Sequence, residues 1–148
     1  DNPYYTFRVP QCFRFFWFFM EFISFLPIYL FRRLLSLFYD VLVCDRGLLD
    51  FIVWVIVTTR CPGFLNTLYG KFLFRLLSKE SIIYVYASPD ILSRRADVPK
   101  DFLMREYIVY TVLKKYSNIS FSIDTSYDPP IKSLAKIINY LRMEYEFD

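Results

Sequence analysis

The chain has 148 residues, 55% of them apolar and 22% aromatic, with a formal net charge of +3. That length suffices for one domain with a core, and so small a charge, without basic residues interleaved among aromatics, argues against a nucleic-acid partner. There is no histidine, which removes His-based acid–base catalysis, Ser-His-Asp and Cys-His nucleophiles and the usual His-containing zinc sites.

The remaining chemistry falls to carboxylates, arginines, lysines, hydroxyls or a bound metal. Three cysteines, Cys12, Cys44 and Cys61, form no paired pattern. An odd count of this kind fits a reducing, cytoplasmic compartment rather than a disulfide framework. The first residue is Asp1 rather than Met, so the chain is expected to start inside a longer protein.

In chain order, residues 4–10 read as a strand, aromatic and β-branched and closed by Pro10. Residues 12–38 read as one or two helices with a break near Pro27. The aromatic part of this segment, 13–38, suits a buried or groove-lining helix pair. It also suits a face for a membrane, a partner or a second copy of the chain. A true span is the weaker reading, because Glu21 and Pro27 interrupt the run before Arg32-Arg33.

Residues 40–44 are continuously apolar after Asp40, as in a strand covered on both faces. Such a strand would deliver Asp45 and Arg46 to the end of a sheet, where open parallel sheets place their ligands. Residues 48–59 then read as a helix, despite their β-branched content. Cys61-Pro62-Gly63 is a turn. Residues 64–78 carry Phe64, Leu68, Phe72 and Leu76 at a helical spacing.

Residues 81–87 are the third predicted strand, and Ser88-Pro89-Asp90 caps a following helix. A helix over 101–116, a short strand over 119–123 and a helix over 131–144 complete the chain. Alternation of this kind predicts an α/β fold, a parallel sheet with helices on both faces.

From residue 40 onward, about two-thirds of the chain, the sequence resembles the thymidylate kinase group of P-loop nucleotide kinases. The strand ending in Asp45-Arg46 is similar to that family's Asp-Arg motif. The stretch IIYVYASPDILSRR is similar to its next strand and the Arg-bearing helix before the lid. DFLMREYIVYTVLKKY, with Arg105 and Tyr110, resembles the following helix, and Ile123-Asp124-Thr125-Ser126 resembles the last strand and its loop.

The resemblance implies a single, partial, three-layer P-loop kinase-like domain over 1–148. It implies phosphoryl transfer from ATP, with Mg²⁺, to a nucleoside monophosphate such as thymidylate. The departures are specific. The phosphate-cradling loop G-x-x-x-x-G-K-[ST] is absent and the chain holds only three glycines. The lid shrinks to Asp97-Val98-Pro99-Lys100, and Gly47, Asp50 and Phe51 follow the Asp-Arg pair where the family carries an aromatic and small polar residues.

By the same resemblance Asp45 contacts the metal and its water, and Arg46 holds the acceptor phosphate through a bidentate fork. Arg94 or Arg95 stabilises the transferred phosphoryl group, Arg8 and Arg105 bind the acceptor, and Asp124, Thr125 and Ser126 border the donor base. Plainer roles stay open for each: a salt-bridged pair at a strand end, a solvated helix terminus, a helix-surface ion pair, ordinary turn chemistry. The alternative function is a non-catalytic relative of these kinases, acting as a binding or membrane-peripheral module.

Overall fold

The segment predicted as a helix despite its β-branched residues becomes the hub of the molecule. In the computed structural model, which describes residues 5, 9–95 and 98–146, it is the helix Leu48–Thr59. Nine of its twelve residues are buried. Burial on every side decides its conformation over propensity, and Thr58 and Thr59 satisfy their buried hydroxyls on the carbonyls of Trp54 and Val55 (2.8 and 2.5 Å). At its start Asp50 Oδ2 accepts from the Gly47 N–H (2.8 Å), and it ends on Arg60 in the left-handed region, φ 53°.

Around this hub, α2, pack three other helices: α1 (Arg14–Leu35), α3 (Leu68–Leu77) and α5 (Lys100–Leu113). Two more helices are α4 (Pro89–Arg95) and α6 (Pro130–Tyr145). Leu73 and Leu77 of α3 and Phe102 and Leu113 of α5 complete the buried core. Gly70 lies where α3 crosses the turn before it: a Cβ there would stand 2.2 Å from the Phe64 carbonyl oxygen.

The sheet is small. β1 (Ile82–Tyr86) and β2 (Ile119–Asp124) run parallel, with Tyr84 opposite Ser122 and Tyr86 opposite Asp124. The connection between them is α4 and α5, as a parallel pair requires. Phe121 stacks on Tyr140 of α6, ring centroids 4.6 Å apart.

This corrects the expected architecture. With 68% helix, six α-helices and a two-stranded sheet among the described residues, the fold is neither the parallel sheet with helices on both faces that the alternation suggested nor the three-layer α/β P-loop kinase-like domain that the resemblance implied. Two predicted strands account for the difference. Residues 40–44 form no strand; among the described residues no backbone group of 40–46 bonds to another backbone group. Of residues 4–10, Tyr5 is helical and Val9 and Pro10 have no regular structure; the others lie outside the described residues.

The predicted break at Pro27 is also absent: α1 runs unbroken through it. Pro27 and Ile23, whose carbonyl loses its partner, are both exposed, so the freed group is not trapped in the core. With the turn before it, Gln11–Leu35 is long and apolar enough to cross a membrane by length and composition.

Candidate functional site

A cleft of about 890 Å³ opens along the unpaired edge of β1. Residues 40–50 and the end of α1 form one side of it, α5 contributes Glu106, Tyr107 and Tyr110, and α6 contributes Tyr140. The tyrosines are the main aromatic surface: Tyr84 and Tyr86 stack at 5.4 Å, and Tyr84 leans on Tyr110 at 5.8 Å.

The turn at Asp45-Arg46 is shaped from outside. The Arg32 guanidinium donates to the carbonyls of both residues, from Nη2 to Asp45 (3.0 Å) and from Nη1 to Arg46 (2.8 Å). The two parallel N–H bonds of this planar fork suit a turn in which Arg46 adopts φ 55°. Both side chains at the turn are exposed, and the Arg46 guanidinium makes no hydrogen bond or ion pair among the described residues. Arg33 is engaged on the Tyr29 hydroxyl, 3.0 Å from both Nε and Nη2.

Behind the turn lies a half-buried acidic group. Asp50, besides capping α2, accepts from the Tyr110 hydroxyl (2.5 Å). Burial, then the Asp50 charge, raises the Glu106 carboxyl above the ordinary glutamate range, against a pull from Arg46. Burial likewise raises Glu80, against the Leu48 amide, Arg33 and Arg32. Burial and the Asp50 carboxylate hold the Tyr110 phenol far above its usual value, and Tyr84 moves the same way. Both phenols are therefore protonated donors at neutral pH.

Of the residues singled out in the sequence, the cleft brings together Asp45, Arg46 and Thr125. They do not meet at one point. Gly47 lies against Glu80, the second residue before β1. Thr125 bonds through its amide and hydroxyl to the Tyr86 carbonyl at the carboxyl end of β1 (2.8 and 3.0 Å). The Asp-Arg pair thus stands by the amino end of that strand, not beyond the carboxyl end of a sheet.

Asp124 and Ser126 act locally. The Ser126 hydroxyl, and then the Ser126 amide that donates to the Asp124 carboxylate (2.8 Å), hold the Asp124 pKa down, and Ser126 Oγ accepts from the Ser88 amide (3.0 Å). Arg95 donates to the Ser126 carbonyl (3.2 Å), and Arg94 is exposed at the end of α4. Arg105 lies on another face of α5, over the Phe102 ring at 5.8 Å, where it lines a second groove with Arg60 and Met104. Arg8 lies outside the described residues.

The sequence reading missed Arg32, Asp50, Glu80 and Glu106 as site groups. Asp50 left a signal, a lone acid three residues after Gly47 in an otherwise apolar helix. Nothing local marks the others.

Among the described residues no three His, Cys, Asp or Glu side chains gather as a metal-holding group, and Asp45 stands on an exposed turn. Comparison with protein-family models, with curated proteins and with solved structures gives no match.

Proposed function

We propose that the chain is a nucleotide-binding module that takes a nucleoside monophosphate in the cleft beside β1, the acceptor role of a nucleotide kinase-like phosphotransferase. The observation that carries this reading is an arginine, Arg46, with no hydrogen bond or ion pair among the described residues, in a cleft that tyrosine rings also line. A guanidinium fork matches phosphate oxygens, and tyrosine faces suit a nucleobase. The Asp50 and Glu106 carboxyls supply acceptors for ribose hydroxyls or base N–H groups. Transfer itself also needs a held donor, and the sequence contains no G-x-x-x-x-G-K-[ST] loop, so the proposed role is binding and positioning of the acceptor.

Isothermal titration with the common nucleoside monophosphates and their unphosphorylated nucleosides tests the reading. At least one monophosphate should bind saturably and its nucleoside about tenfold more weakly or less. Arg46→Ala should weaken the monophosphate by about ten- to a hundredfold, as for a lost charge-assisted bond. Equal affinity for nucleoside and monophosphate, or no saturable binding at all, refutes it.

A further inference from the structure

The amphipathicity of α1 is inverted. At 100° per residue most of its exposed apolar side chains, among them Phe15, Phe16, Phe19, Ile23, Phe31 and Leu34, spread over an arc of about 160°, with Ile28 about 60° further round. The charged residues Arg14, Glu21 and Arg32 lie within about 20° of one another on the opposite side, turned to the protein, while Arg33 is exposed at the edge of the apolar arc. Glu21 accepts from the indole N–H of Trp54 (3.3 Å) and Arg32 holds the 45–46 turn. No acid stands on the outward face. In water this arrangement is upside down.

We propose that the outward face of α1 lies flat on a lipid bilayer carrying anionic headgroups. Three observations favour lipid over a second copy. The apolar arc is far wider than the seam that a paired helix covers. It continues past the helix onto the turn, where Leu37 and Phe38 are 77% and 75% exposed. A cation, the exposed Arg33, stands at the edge of the arc near the end of the helix, where interfacial anchors stand.

Crossing the bilayer is disfavoured because α1 is attached to the body along its length. Phe18 packs on Phe64 (4.8 Å) and Phe25 stacks on Phe51 (4.3 Å). The surface proposed here is separate from the cleft, so it stands or falls independently of nucleotide binding.

Flotation of the full chain with phosphatidylcholine vesicles, with and without phosphatidylglycerol, tests the proposal. The chain should float with the anionic vesicles and be released by alkaline carbonate. Phe16→Glu/Phe31→Glu should reduce flotation at least about tenfold with an unchanged circular dichroism spectrum. If that variant misfolds, the milder Ile23→Gln should still lower flotation measurably. Failure to float overturns the proposal, whether the chain is then monomeric or a dimer by light scattering. Resistance to carbonate extraction overturns it too, in favour of a span.

Discussion

α1 and α2 are the two most apolar helices of the chain, and the molecule treats them oppositely. α2 buries nine of its twelve residues, whereas α1 buries only Phe18 of twenty-two. Apolar content shows that a segment avoids water; it does not show what will cover it. The few charges do. In α2 the single acid, Asp50, sits at the first turn, where it caps the helix and reaches the cleft. In α1 Arg14, Glu21 and Arg32 face the protein, and of its charges Arg33 is exposed, at the edge of an apolar outward face.

The contrast can be broken most directly by truncation. Ile52→Ala in α2, at a fully buried position, should destabilise by about 2–5 kcal/mol. Phe31→Ala in α1, 60% exposed, should stay within about 0.5 kcal/mol. Urea unfolding measures both; comparable losses would mean that α1 is also core. A smaller loss, about 1–3 kcal/mol, is expected of Gly70→Ala. The added methyl has only backbone to meet, and a neutral result would show that the α3 crossing yields.

The smallest effect concerns the half-buried acid behind the cleft. Glu106 has a raised carboxyl pKa in the folded chain. Its contribution is fully present below the ordinary glutamate pKa and is lost as pH rises through the raised value. Glu106→Gln should therefore increase the unfolding temperature slightly at neutral pH, change it little in acid and flatten the profile between. An unaltered profile would remove Glu106 from the account.

Much of this fold is local enough to read. Residues 48–59 are helical in sequence and in space, and the predicted strands at 81–87 and 119–123 become β1 and β2. Residues 40–44 fail for a physical reason. Their apolar run has strand character, but a strand exists only with a partner, and partners are not a local property. Pro27 fails similarly, since whether a proline breaks a helix depends on where the freed carbonyl points.

The site was legible in part, through Asp45, Arg46 and Thr125. Its acidic group was not, because Asp50 and Tyr110 meet across sixty positions of chain. The three-layer sheet that the alternation and the resemblance both implied is one that these residues do not build.

Arg32 joins the two surfaces. It belongs to the last turn of α1, yet its guanidinium grips the carbonyls of the turn that carries Arg46. The outward helix and the cleft mouth are in this respect one lever. For such a pair thermodynamics demands reciprocity: the factor by which a filled cleft changes the attraction of α1 for lipid equals the factor by which lipid changes the affinity of the cleft. Where both proposals hold, titrating nucleotide with and without vesicles reads the size of any coupling through this guanidinium, and equal affinities mean that the two surfaces act independently.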